Sequence, residues 1–121
     1  MDKNFAYEED LYRAVYPPEI AAMFWRKNGT VSSAAFADPK GLSVERGDFR
    51  DDDDVIKSMQ DRFDGKIISF IVGAVWTVRA EVVYLPTKHN LYHSEIHGSK
   101  TVILLSKEQR YWLSRFSSVV A

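Results

Sequence analysis

The chain has 121 residues, of which 45% are hydrophobic and 13% aromatic, and its 16 Lys and Arg nearly balance its 17 Asp and Glu. This composition is typical of one folded domain and excludes a disordered chain. The near-zero net charge argues against bulk nucleic-acid binding, and the absence of cysteine excludes disulfides and cysteine-bound zinc. The longest apolar run, Ile67 to Val78, is too short to span a bilayer, so we expect a soluble cytoplasmic protein without membrane association.

The N-terminal part of the sequence predicts a tail and two short elements. Residues 1–10 are polar, and we expect them to form a loosely held tail. Leu11–Tyr16 mixes aromatic and β-branched residues, which predicts a first strand that stops at the two following prolines. After the prolines, Ile20, Met23 and Phe24 share one face of a predicted short helix.

Four consecutive aspartates, Asp51–Asp54, follow a short predicted strand, Leu42–Glu45. An acidic run could bind a cation, but the ligand spacing of a calcium loop is absent. The apolar stripe after the run predicts an amphipathic helix, with Asp53 or Asp54 as its N-cap at the positive end of the helix dipole. The stripe consists of Val55, Ile56, Met59 and Phe63.

Two apolar segments predict the centre of a sheet. Ile67–Val78 is rich in Ile, Val, Phe and Trp, and Glu81–Leu85 is nearly as β-prone. Gly73 lies inside the first segment and indicates a bulge, a close approach of the backbone, or a break into a short helical turn over residues 74–80. Periodicity leaves these alternatives open.

The C-terminal segment predicts an amphipathic helix that docks on the sheet, although an aromatic stripe could also bind a partner. Ser106, with Gln109 three residues later, fits a capping box. The stripe consists of Trp112, Leu113, Phe116, Val119 and Val120. Together the segments predict an α+β fold, in which residues 11–121 form a single domain with a small antiparallel or mixed sheet and two to three helices.

The three histidines of the chain lie between His89 and His97, at a third predicted strand, Tyr92–His97. Because side chains alternate along a strand, His93, Glu95 and His97 share one face. Two imidazoles and a carboxylate are suited to acid–base chemistry. No established metal signature is present, so we assign no metal ion, and coordination by these three residues is left as an alternative. The same alternation is also typical of the solvated face of an edge strand.

Arg13, Ser32 and Ser33 form a second candidate set. A guanidinium binds phosphate or carboxylate through its planar fork, and hydroxyls add hydrogen bonds. An exposed arginine that pairs with the acidic residues just before it is the more ordinary alternative. The candidate catalytic residues are Arg13, His93 and Glu95, and the candidate ligand-binding residues are Arg13, Ser32, Ser33 and His93.

Four blocks of the sequence occur together: Leu11-Tyr12-Arg13, Ser32-Ser33-Ala34-Ala35-Phe36, Gly41-Leu42-Ser43-Val44 and His93-Ser94-Glu95-Ile96-His97-Gly98. They resemble blocks of a group of small uncharacterised bacterial proteins, over most of the chain from Leu11 to Thr101. The resemblance implies a bacterial or phage source and implies no activity. It supports treating Arg13, Ser33, His93 and Glu95 as one set.

Three functions remain open at this point. A polar Arg/Ser/His/Glu pocket would bind or process a phosphate-bearing ligand, such as a nucleotide or RNA. A non-catalytic interaction or inhibitor module would instead use the His-Glu-His strand to recognise a protein partner, and a divalent-metal site on that strand is the third alternative. We favour the pocket because the unusual polar residues lie next to the apolar segments. The sequence identifies no cofactor.

Overall fold

The computed structural model describes residues 4–121, which fold into six antiparallel strands in one sheet and three α-helices. The strands are β1 (Asp10–Val15), β2 (Leu42–Arg46), β3 (Lys66–Ile71), β4 (Glu81–Tyr84), β5 (His93–His97) and β6 (Ser118–Val119). The helices are α1 (Asp52–Gln60), α2 (Val72–Thr77) and α3 (Lys107–Phe116), and two 3-10 turns span Ala22–Phe24 and Ser33–Phe36. The predicted α+β fold is confirmed. None of the helices within residues 4–121 has the length and hydropathy needed to cross a membrane.

The strand order is β4-β5-β2-β1-β3-β6, so β2 and β1 form the centre of the sheet. The prediction that the sheet is built around Ile67–Val78 and Glu81–Leu85 is therefore wrong. β3 is followed only by the two-residue β6, and β4 forms the opposite edge. β3 is apolar because both of its faces are covered: Ile67 and Ile68 pack into different hydrophobic clusters.

The two faces of the sheet are covered by different helices. On one face, Tyr12 and Ile67 pack against Val55 and Met59 of α1. The other face carries a larger cluster, which includes residues of α2, α3 and the turn Ser33–Phe36. Its fully buried members include Leu11, Phe36, Ile68, Val75 and Leu113. Alternation along β1 and β3 thus separates two cores.

The apolar run from Ile67 breaks where glycine had indicated a possible break. β3 ends at Ile71, and α2 begins at Val72. Gly73 also lies against the ring of Tyr7, where a Cβ atom would overlap the ring carbons. The sequence alternative of a break into a helical turn is confirmed, and the glycine allows the aromatic ring to approach the backbone.

α1 begins as the acidic run predicts, but with a different cap. Asp51 is the N-cap, and its side chain accepts a hydrogen bond of 2.9 Å from the backbone nitrogen of Asp53. The helix starts two residues earlier than a cap at Asp53 would require. It also ends at Gln60, so Phe63 lies beyond it and is 48% exposed.

α3 has the predicted capping box and packs on the sheet through Leu113, which is fully buried. The other residues of the predicted apolar stripe do not all belong to the helix or face the core. The helix ends at Phe116, and Val119 instead pairs with β3 as part of β6. Trp112 and Phe116 are 44% and 43% exposed. The docked part of the helix is therefore narrower than the apolar pattern predicts.

The N-terminal residues differ from the loosely held tail expected for residues 1–10, of which Met1–Lys3 lie outside the described residues. Glu9 is buried and forms a bidentate pair with Arg46, with two N–O distances of 2.8 Å. The ring of Phe5 lies 4.2 Å from the Arg46 guanidinium. Buried charge pairing anchors this segment, which polarity alone does not reveal.

The short helix predicted around Ile20 and Met23 is wrong. A single 3-10 turn forms at Ala22–Phe24, and Ile20 and Met23 are 67% and 72% exposed. The chain instead bends so that Trp25 bridges to Val31. These longer-range contacts outweigh a local apolar pattern of only three positions.

Candidate ligand cavity

A cavity of about 480 Å³ opens between β1, β2 and the C-terminal end of α1. Its polar lining residues are Tyr12, Arg13, Tyr16, Ser43, Glu45, Arg62, Asp64, Asn90 and His93. The structure therefore brings together two of the residues predicted from the sequence, Arg13 and His93, which are eighty positions apart. Its apolar wall includes Met59 and Phe63.

The cavity forms where β1 and β2 stop pairing. Their register runs from Leu11 opposite Arg46 to Tyr12 opposite Glu45. β2 remains paired with β5 as far as Leu42 opposite Ile96. Beyond Tyr12, β2 therefore has backbone groups that no longer bond to β1, and these are open to side chains.

The Arg13 side chain occupies part of this gap. Its Nη1 donates to the carbonyl oxygen of Ser43 at 2.8 Å, and its Nε donates to the carbonyl oxygen of Ala35 at 3.2 Å. Because side chains alternate along β1, the Arg13 side chain leaves the strand on the face of Leu11 and Val15, which is the face opposite His93. Its guanidinium then reaches from the Ser33–Phe36 turn to β2.

The positive charge of Arg13 is not neutralised by an ion pair with any described residue. Both of its described partners are neutral carbonyls, and Glu9, one of the acidic residues expected to pair with it, pairs with Arg46. Burial lowers the pKa of the Arg13 guanidinium, and the carboxylate of Asp38 opposes this shift. An anion that entered the cavity would meet a guanidinium that the Asp38 carboxylate influences but to which no described carboxylate is bonded.

His93 presents a ring nitrogen to the same space. Its Nδ1 lies 2.9 Å from the carbonyl oxygen of Leu85, which can only accept, so Nδ1 carries the proton in this arrangement. Nε2 lies 3.5 Å from the hydroxyl of Ser43. In the neutral ring Nε2 accepts a hydrogen bond, and in the protonated ring it donates one to an anion.

The opposite wall is organised around Glu45, which is 3% exposed. Its carboxylate pairs with Arg50 at 3.1 Å and with Arg62, and it accepts a hydrogen bond of 3.3 Å from the amide of Asn90. Two guanidinium groups share the Glu45 carboxylate, but the Asp64 carboxylate also lines the cavity, so the formal charges of Arg13 and Arg62 balance those of Glu45 and Asp64 in its lining. Sequence reasoning missed Glu45, Arg62 and Asn90, because only the register shows that Glu45 faces His93.

The other predicted site residues lie outside the cavity lining. Glu95 accepts a hydrogen bond of 2.8 Å from Nε2 of His97, and its carboxylate lies against Gly41, where a Cβ atom would overlap it. Ser32 donates to the carbonyl oxygen of Met23 at 2.6 Å, and Ser33 is exposed on its 3-10 turn. The roles assigned to Glu95 and the two serines stay predictions.

β5, which carries His93 and His97, is not an edge strand, and its described side chains do not form a metal-binding group. β5 is paired on both sides, with β4 and with β2. His93 turns toward Leu85 while Glu95 and His97 contact each other. Among residues 4–121, no three His, Asp or Glu side chains form a group that could hold a metal ion. Glu95 and His97 meet across the spacing of roughly 6.5 to 7 Å between alternate strand residues, but His93 points to Leu85 and does not join them.

Comparisons with known proteins assign no family to the chain. It matches no protein-family model, no curated protein and no solved structure. The function must therefore be inferred from the cavity and from the molecular surface.

Proposed function

We propose that the chain binds a small phosphate-bearing ligand, such as a mononucleotide, in the cavity between β1, β2 and α1. One observation carries this proposal: Arg13 and His93 line the same cavity, and neither has a carboxylate partner among the described residues. The volume of about 480 Å³ falls within the range of small-molecule sites, roughly 300 to 1,000 Å³.

In this proposal the phosphate lies among Arg13, Ser43 and His93. The guanidinium supplies charge, the Ser43 hydroxyl donates a hydrogen bond, and protonated Nε2 of His93 donates another. Arg62 pairs with Glu45 on the far wall, where Asp64 also lies, so the attraction for a phosphate comes from Arg13 and His93. Charge-assisted hydrogen bonds of this kind are about twice as strong as neutral ones.

The nucleobase would contact the aromatic lining of the cavity. Tyr16 and Phe63 both line it, and their side chains are 59% and 48% exposed. Exposed rings beside a guanidinium and an imidazole that can hold a phosphate are suited to stacking on a base, and such stacking tolerates different bases. A free nucleotide therefore fits the proposal better than inorganic phosphate alone.

The geometry favours binding over catalysis by a His–Glu pair. Glu95 is bonded to His97 and His93 to the Leu85 carbonyl, so Glu95 does not orient the His93 ring. An acid–base pair needs its carboxylate within hydrogen-bond reach of the working imidazole.

Titration calorimetry with mononucleotides and with inorganic phosphate tests the proposal. We expect His93→Ala to weaken nucleotide binding about tenfold or more, because a charge-assisted hydrogen bond is lost. Arg13→Gln should weaken it further, with folding checked by circular dichroism because Arg13 also bonds two carbonyls.

Ser33→Ala is the matched control, since its hydroxyl is exposed and lies outside the cavity lining. It should bind nucleotide as the wild type does. Equal affinity in wild type and His93→Ala, or no saturable binding of any nucleotide to the wild type, would contradict the proposed function.

A further inference from the structure

α3 exposes an aromatic face that the fold does not cover. Tyr111 and Trp112 are each 44% exposed, and Phe116 is 43% exposed. Their rings contact one another, with centroids 5.1 Å apart for Tyr111 and Trp112 and 5.9 Å apart for Trp112 and Phe116. Exposed aromatic residues are ordinary when scattered, but a contiguous group on one helix marks an interaction surface.

The apolar surface continues beside the helix. A groove of about 1000 Å³ is lined by Trp112 and Phe116 together with Val102 and Leu104 of the preceding segment. The latter two side chains are 56% and 40% exposed. The exposed apolar surface therefore extends over two segments of the chain.

The charges on this face are arranged symmetrically about its centre. Glu108, Tyr111, Trp112 and Arg115 follow the spacing i, i+3, i+4 and i+7, which places them on one side of the helix. The acidic residue lies in the first turn and the basic residue in the last, about 10 Å apart along the axis. Neither forms an ion pair with another described residue. The guanidinium of Arg115 lies 5.3 Å from the centroid of the Tyr111 ring, along the same face.

This arrangement is complementary to itself. When two copies of α3 lie antiparallel, each Glu108 faces the Arg115 of the other copy, and the Trp112 side chains meet near the middle. A closed two-fold contact requires such self-complementarity, because each copy presents the same surface. Opposite charges at both ends set the direction of the helices and disfavour the parallel arrangement.

We propose that the chain forms a symmetric homodimer through the exposed face of α3, with Glu108–Arg115 pairs on either side of the aromatic centre. The occupant of this surface is a second copy of the chain, because the surface complements its own charges without any other partner. The proposal is independent of ligand binding, since α3 and the His93 side chain lie on opposite faces of the sheet.

Sedimentation velocity over a concentration series up to the high micromolar range tests the dimer. We expect the wild type to self-associate, and we expect Glu108→Arg and Arg115→Glu each to weaken the dimer about tenfold or more, because like charges then face each other at two positions. The double variant E108R/R115E should recover dimerisation, since the pairs are restored with reversed sign.

Glu19→Arg is the matched control, because it makes the same charge change at an exposed residue far from α3 in the sequence. It should dimerise as the wild type does. A wild type that stays monomeric throughout the series overturns the proposal and leaves the aromatic face to a different protein. A double variant no stronger than the single variants also overturns it, because the helices then do not pair in the proposed direction.

Discussion

Asp10, the first residue of β1, lies in an unfavourable electrostatic environment. Burial raises the pKa of its carboxyl group, and the nearby carboxylates of Asp52 and Glu9 raise it further. The hydroxyl of Tyr12 donates to Asp52, and burial together with this acceptor raises the pKa of Tyr12. Asp10 is thus an acidic group whose charged form is disfavoured in the folded chain.

Replacement of Asp10 with Asn should therefore stabilise the folded chain at neutral pH. Because the folded-state pKa lies above the ordinary value of 3.8, the folded chain takes up this proton more readily than the unfolded chain. This proton uptake stabilises the folded wild type at low pH, and the stabilisation is lost as pH rises from 3.8 through the raised pKa of Asp10. Thermal unfolding across this range should show a higher Tm for Asp10→Asn at pH 7 and a difference that shrinks on acidification. A difference that does not change with pH would contradict this assignment.

At the scale of an element, the start of α1 depends on one carboxylate of four. Asp51 accepts from the backbone nitrogen of Asp53, while Asp54 lies within the first turn of the helix. A capping side chain satisfies a backbone donor that the helix leaves free, whereas a neighbouring aspartate only opposes the dipole.

Asp51→Ala should lower the free energy of unfolding by about 0.5 to 2 kcal/mol. Asp54→Ala is the matched control and should have a smaller effect, because it removes only a screened surface charge near the helix dipole. Urea denaturation of the two variants measures the difference. Equal losses would show that the acidic run acts through its total charge and not through a cap.

At the scale of the whole molecule, the sheet separates two surfaces. α1 and the His93 side of the ligand cavity lie on one face, and the larger cluster that includes α3 lies on the other, from which the Arg13 side chain reaches the cavity. β2 and β1, at the centre of the sheet, contribute backbone groups to the cavity and side chains to the hydrophobic clusters on both faces. No side chain of α3 is among the residues that line the cavity.

The two proposed sites should therefore be uncoupled. The dimer-weakening variant Glu108→Arg should bind mononucleotide with the affinity of the wild type, and saturating nucleotide should leave the dimer dissociation constant unchanged. Reciprocity of binding free energies requires these two results to agree. Calorimetry and sedimentation measure them separately, and a several-fold change in either would show that the sheet transmits the state of one face to the other.

The sequence by itself determined the features that depend on neighbouring residues. The capping box of Ser106 and Gln109 and the helix start at the acidic run arise from hydrogen bonds within one turn. The break near Gly73 and the shared face of His93, Glu95 and His97 follow from backbone freedom and from strand alternation. Such signals are contained in a few consecutive positions, so they can be read without knowledge of the fold.

Only the tertiary structure decided how those elements meet. The central position of β2, the end of its pairing with β1, and the grouping of Glu45, Arg62 and Asn90 all depend on strand order and register. The exposure of Trp112 depends on which side of α3 faces the core, and an apolar stripe does not distinguish burial in its own domain from contact with another chain. These contacts join residues tens of positions apart, where local propensity carries no information about which segments become neighbours.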